Sequence, residues 1–314
     1  MKRTYLLPAA FVLLGIFMLQ TAFAQRRPLY PAPKLTPRVA AIRAARTPWQ
    51  PVRPAAGQLP AAVDNSQTAF FPPVIDQQGG SCAQASAIGY VFTYEVNRLL
   101  RRSAAGADNR FSYLFAWNFL NGGADEGGFA EEGFFLAQRF GMMTEADFGT
   151  ALATQFKWAS GFEKYLNAQR YLVEHIYTFP ATDEAGLAAI RRYLADGGTG
   201  APEGGILSFS TYSGNWLVAP YDGPSLTGYR RLLTRLASEG AHALTIVGYD
   251  DTVAYTDAAG QRREGAFIVV NTWGSAMHDR GRFYLPYHFF TDRSALTFPG
   301  QLGEDMTGVS VRTA

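Results

Sequence analysis

The chain has 314 residues, 47% hydrophobic and 17% charged, with a net charge of +2 and one cysteine. That is ordinary for a globular protein and too polar for a membrane protein. A lone thiol excludes both an internal disulfide and a cysteine-built zinc site, so stability must come from the core.

Lys2 and Arg3 open the chain, an apolar run extends from Tyr5 to about Leu19, and Ala22-Phe23-Ala24 follows. This is the pattern of a secretory signal, residues 1–24, cleaved after Ala24. The run is shorter than the roughly 20 residues of a spanning helix, and no later segment is long and apolar enough. About 290 residues are then expected as a soluble protein, secreted or periplasmic, with no membrane contact after cleavage unless an uncleaved signal tethers it.

Residues 25–66 form a leader. Between Gln25 and Val63 lie seven basic side chains, eight prolines and no acid; residues 64–314 hold 26 acids against 19 bases (28 in all, less Lys2, Arg3 and those seven). A Pro-rich basic stretch with few large apolar residues cannot build a core and reads as a flexible linker. Its charge, opposite to that of the body, also fits a short propeptide lying across the body. The run lacks a folded platform with interleaved aromatics, so no nucleic-acid partner is expected.

The body spans 67–314. Apolar residues at Ala85, Ile88, Val91, Phe92, Val96 and Leu99 predict a helix from Cys82 to Leu100. Two more are predicted at Phe111–Leu120 and Glu131–Phe140, stopped by Gly141, and another at Glu184–Ala195. Short β-rich runs follow at 204–210, 243–249, 265–271 and 281–285, with a turn at 257–260. Helices first and strands later predict an α+β fold of two lobes. Glu131-Glu132 and Asp250-Asp251 read as solvated surface, and Tyr249, Phe289 and Phe290 as core.

Cys82 stands where the loop Gln77-Gln78-Gly79-Gly80-Ser81 enters the first helix. Unpaired N–H groups and the positive helix end there favour a thiolate, and the Cys82 N–H with a Gln77 or Gln78 side-chain amide can bind an oxyanion. His242, one of four histidines, precedes an apolar strand; Asn271 ends the next, followed by Thr272-Trp273-Gly274. Cysteine, histidine and asparagine are the parts of a thiol nucleophile, its base and the group that orients the base, with Trp273 placed to cover their hydrogen bond. The histidines show no metal-ligand spacing, and no metal or cofactor is expected.

Asp76-Gln77 through Gly80-Ser81-Cys82, then Ala241-His242-Ala243 leading to Val247-Gly248-Tyr249, then Asn271-Thr272-Trp273-Gly274 resemble the motifs of papain-like cysteine peptidases. Gly127-Gly128-Phe129 resembles the family's Gly-Gly segment. The likeness runs from about Pro72 to Leu285. It implies a helical lobe bearing Cys82, a β-barrel-like lobe bearing His242 and Asn271, and a cleft between them. It also implies roles: Cys82 nucleophile, His242 acid/base, Asn271 orienter, Gln77 oxyanion donor, Trp273 shield, Gly127 and Gly128 pairing with substrate backbone, and Ala243 lining the specificity pocket.

The chain departs from the pattern at several points. Ala83 and Gln84 follow the cysteine where tryptophan is usual, Gly79 replaces a disulfide cysteine, and the long helical propeptide is missing. The glutamine-to-cysteine spacing is one residue short from Gln77 and two from Gln78, and the stretch from His242 to Asn271 is longer than usual. These features suggest a divergent, disulfide-free, bacterial-type branch. The expected function is hydrolysis of polypeptides through a thioester on Cys82. The alternatives are a narrow amidase or transpeptidase with the same dyad, and an inactive peptide-binding relative. Oligomeric state is left open.

Overall fold

The helix expected at Cys82 forms, and the fold is arranged around it. A computed structural model describes residues 27–53, 58–149 and 157–314; the predicted signal segment lies outside them. Three short elements come first: α1 (Pro37–Ala44), β1 (Thr47–Pro48) and β2 (Ala62–Asp64). The central helix, α2, starts at Cys82–Gln84, widens into a π-helical stretch at Ala85–Phe92 and ends at Thr93–Leu100. Every side chain from Ala85 to Phe92 is buried, as expected of a helix apolar on all sides.

Packed on it are α3 (Tyr113–Asn121) and α4 (Ala130–Phe140), followed along the chain by α5 (Glu145–Phe148) and α6 (Phe162–Ala168). Gly141, at φ +68°, ends α4 where the sequence placed the stop.

The remaining elements are β3 (Tyr171–Pro180), α7 (Glu184–Asp196), β4 (Leu207–Tyr212), β5 (Leu217–Pro220), β6 (Arg231–Arg235), β7 (Ala241–Thr256), β8 (Arg262–Val270), β9 (Arg282–Pro286), α8 (His288–Thr291) and β10 (Asp305–Thr313). The strands form one ten-stranded sheet in the order β1-β3-β10-β4-β7-β8-β9-β6-β5, with β2 paired to β7. The barrel-like closure expected for this lobe is absent: the sheet is open. The α+β class holds, but β1, β2 and β3 join the sheet from the helical half. Adjacent polar residues Glu174 and His175 hide β3 by breaking the two-residue alternation. Opposite them, a register shift between Ser310 and Val311 restores pairing with β10.

Tyr249, Phe289 and Phe290 are core, as expected. Both acidic pairs contain a buried member, contrary to the surface reading. Asp250 is fully buried and accepts from the N–H groups of Leu226 (2.8 Å), Thr227 (2.9 Å) and Thr252 (3.0 Å), which compensate its lost hydration. Glu131, 6% exposed, meets leader arginines: Arg43 Nε at 2.9 Å and Arg46 Nη1 at 3.6 Å. Arg46 also binds Asp305 at 2.7 Å. The charge opposition seen in sequence is thus local pairing in the structure.

Residues 36–53 are built into the body. Val39 and Ile42 are buried on α1, Trp49 stacks on Phe179 at 5.3 Å, and β1 pairs with β3. Gly248 of the Val-Gly-Tyr motif has a packing reason: a Cβ there would lie 1.9 Å from the Val63 carbonyl oxygen, where β2 crosses β7.

Candidate active site

Two hydroxyls on α2 fix Cys82 relative to the sheet. Ser86 Oγ bonds the Leu244 carbonyl at 2.8 Å and lies 2.7 Å from Thr245 Oγ1, both on β7. Tyr90 donates to the Asn271 carbonyl at 3.0 Å. The helix carrying the thiol is thereby clamped to the strand carrying His242 and to the residue that follows β8. The cysteine loop closes through Ser81 Oγ, which donates to the Gln78 carbonyl at 2.6 Å. It joins the Asn271 loop through Gln77 N–H to Thr272 O (2.7 Å) and Gly274 N–H to Ile75 O (2.9 Å).

His242 is 5% exposed and Asn271 is fully buried; Nε2 of the first lies 2.8 Å from Oδ1 of the second. The Thr272 N–H also donates to Oδ1, at 2.7 Å, which identifies that atom as the amide oxygen. His242 must therefore carry its proton on Nε2, leaving Nδ1 free to accept one. Trp273 stacks on the imidazole at 4.7 Å and 26° and covers this hydrogen bond.

Trp216 and His278 complete the setting and had no motif to betray them. Trp216 packs 5.4 Å from Trp273 and edge-on to His242 at 6.1 Å; it is a lone aromatic in a Gly-Asn loop. His278 Nε2 lies 3.3 Å from Asn271 Nδ2.

Gln77 is buried, donates through Nε2 to the Gly79 carbonyl at 2.9 Å, and accepts from the Thr272 hydroxyl at its Oε1. Its amide therefore lies between the cysteine loop and the Asn271 loop. Cys82, His242, Ala243, Gly127 and Gly128 line one cavity of about 420 Å³. Gln77 and Trp273 border the dyad outside that lining. Across the sheet, Ser210 faces Ala243 and Thr211 faces His242. Among the described residues no hydrogen bond joins Cys82 to His242, and no cluster of three histidine, cysteine or carboxylate side chains could hold a metal.

Solved structures that match this architecture include cysteine proteases. Xylellain of Xylella fastidiosa superposes with a TM-score of 0.58 at 19% identity, covering 90% of this chain and 95% of its own. Procathepsin B S9 of Trypanosoma congolense gives 0.57 at 14%, covering 91% and 87%. Bromelain of Ananas comosus gives 0.52 at 15%, covering 80% and 99%. The fold is papain-like. No protein-family model matches the chain, and no curated protein sequence does.

In this papain-like fold the segment 27–33 runs along the cavity of Cys82. Tyr30, Pro31, Ala32 and Pro33 line the same cavity as Cys82. Arg27 pairs with Asp76 and donates to the Gln77 carbonyl at 3.0 Å. The Tyr30 hydroxyl donates to the Asp125 carboxylate (3.0 Å), whose Oδ1 also caps the Gly80 N–H (2.8 Å). The Tyr30 carbonyl accepts from Ala241 N–H at 2.8 Å. Residues 27–33 thus strap the helical lobe to the strand of His242.

Beneath the strap Cys82 and His242 are both held neutral at pH 7. Burial raises the Cys82 thiol above its ordinary value, against the opposing pull of the Ala243, Ala83 and Cys82 N–H groups. Burial pushes His242 down to about 4, with the Asn271 hydrogen bond opposing and the Arg27 charge adding to the shift. Between pH 4 and the ordinary histidine value near 6.5, the unfolded chain binds a proton at His242 that the folded chain does not. Stability therefore rises with pH across that window and falls on acidification, by up to about 3 kcal/mol from this residue. Urea midpoints at pH 7 and pH 4.5 are expected to differ more for wild type than for His242→Gln. Equal differences would contradict this assignment.

Proposed function

We propose that the chain is an exported cysteine peptidase of a divergent, disulfide-free papain-like branch, and that its leader is a short propeptide whose strap covers the cleft. The 2.8 Å His242–Asn271 bond under Trp273, in the wall of the cavity that holds Cys82, carries the reading. Residues 1–24 address it to the periplasm or beyond.

With the strap gone, His242 Nδ1 takes the Cys82 proton and the sulfur attacks the peptide carbonyl carbon. The oxyanion is held by the Cys82 N–H and a hydrogen of Gln77 Nε2, whose other hydrogen already serves Gly79. The C–N bond breaks as His242 returns the proton to the leaving amine, leaving a thioester. Water, deprotonated by His242, attacks that thioester; the C–S bond breaks and the thiol reforms. Asn271 keeps the imidazole turned toward this work, and Trp273 keeps water off their bond. Gly127 and Gly128 pair with the substrate backbone. An amidase or transpeptidase would share every step up to the thioester.

The small side chain of Ala243 leaves room for a bulky apolar residue second before the cut. The test is a cleavage map on unfolded protein. Cuts should follow Leu or Phe at that position, vanish in Cys82→Ala, and lose about tenfold or more of that preference in Ala243→Glu. Cleavage that survives Cys82→Ala would overturn the reading.

A further inference from the structure

Asn271 is fully buried, so each hydrogen-bonding atom of its amide needs a partner. Oδ1 has two, His242 Nε2–H and Thr272 N–H. The Nδ2 side has one, His278 Nε2 at 3.3 Å. Because Nδ2 can only donate, His278 Nε2 must accept, which places the His278 proton on Nδ1. His278 is held for this by its surroundings. Its ring sits edge-on to Trp216 at 5.7 Å and to Phe283 at 5.0 Å. Its backbone adopts φ +54°, a left-handed conformation uncommon outside glycine, in a loop closed by the Gly281 N–H to Met277 O bond of 2.7 Å.

We propose that His278 is a positioning residue for the dyad: a neutral imidazole that accepts from Asn271 Nδ2–H, fixes the amide, and strengthens Oδ1 as the acceptor for His242. This role presupposes the peptidase reading of the site. The three groups form a chain, His242 Nε2–H to Asn271 Oδ1 and Asn271 Nδ2–H to His278 Nε2. When His242 takes the thiol proton, its Nε2–H becomes a stronger donor. The amide answers by shifting electron density to Oδ1 and positive charge to Nδ2, and a lone pair waiting at Nδ2 favours that shift. Burial, with the Arg231 charge adding, holds His278 down to about 4, so it remains an acceptor at neutral pH.

Two variants separate hydrogen bonding from packing. Gln at 278 can set a carbonyl oxygen as far from Cβ as Nε2 is; Leu fills similar space with no acceptor. Full-length protein would be used, carrying Arg27→Ala and Tyr30→Ala to free the cleft. Cys82 alkylation by iodoacetamide at pH 5.5 is expected to slow about tenfold or more in His278→Leu and to stay within about threefold in His278→Gln. Peptide hydrolysis should follow in kcat with KM unchanged. Nitrogen-15 spectra of labelled histidines in the unsubstituted chain should show His278 protonated on Nδ1. The proposal is overturned by the other tautomer, by Leu behaving as the parent does, or by Gln failing as Leu does. Slow alkylation already in the parent would instead remove the dyad, and the role of His278 with it. A parent that alkylates fast but cleaves no peptide would count against the peptidase reading alone.

Discussion

Removing residues 25–35 from the chain that starts at Gln25 is expected to raise kcat/KM on peptides by about 100-fold. The strap is held by the Tyr30 bond to Asp125, the Ala241 bond to the Tyr30 carbonyl, and the Arg27 bond to Gln77 beside its Asp76 pair. At roughly 1 kcal/mol each these sum to about 3 kcal/mol, or two decades of cleft occupancy. The cut belongs before Thr36, whose hydroxyl caps α1 by accepting from Val39 N–H at 3.2 Å. Deleting as far as Arg53 is a different experiment. It strips Val39, Ile42 and Trp49 from the core, at about 2 kcal/mol each, a large part of a typical domain's 5–15 kcal/mol. That longer deletion should not fold. A folded chain from Thr36 that is no more active than the chain from Gln25 would refute the blocking role.

In the unstrapped protein, His242→Ala costs about four orders of magnitude or more in kcat/KM, while Asn271→Ala costs about two. The difference follows from position. Among the described residues His242 supplies the only imidazole lining the Cys82 cavity, and in the proposed cycle it handles every proton. Asn271 acts through it by one 2.8 Å bond, and Trp273 still stacks on the ring when that bond is gone. Steady-state kinetics with a common peptide would check the ranking; equal losses would mean that Asn271 does more than orient.

The residues proposed for chemistry were legible because each lies in a local pattern. Cys82 begins a helix after paired glycines, and His242 and Asn271 flank apolar strands. What escaped depends on distant chain. Trp216 and His278 reach the dyad only through the loops around β5 and β9, on which no periodicity bears. Asp125 is one acid among 26 until Tyr30 and Gly80 meet it. Glu131 reads as solvated because its partners, Arg43 and Arg46, lie some 90 positions earlier. The leader misled for a related reason. Its prolines and charge describe a segment that cannot fold alone, yet Val39, Ile42 and Trp49 make it part of the body's own core. The open sheet was out of reach because closure depends on which strands end the order, here β1 and β5, rather than on any one strand's composition.

The proposed peptidase requires that Cys82 and His242 form a reactive pair once the strap is gone. Limiting iodoacetamide at pH 5.5, read by mass spectrometry on the chain from Thr36, tests it most directly. An ordinary thiol is about 0.1% thiolate there and reacts slowly. Labelling of Cys82 should be rapid in the chain from Thr36, lost in His242→Ala and slow in the strapped chain. Labelling that is slow without the strap, or indifferent to His242, would contradict it.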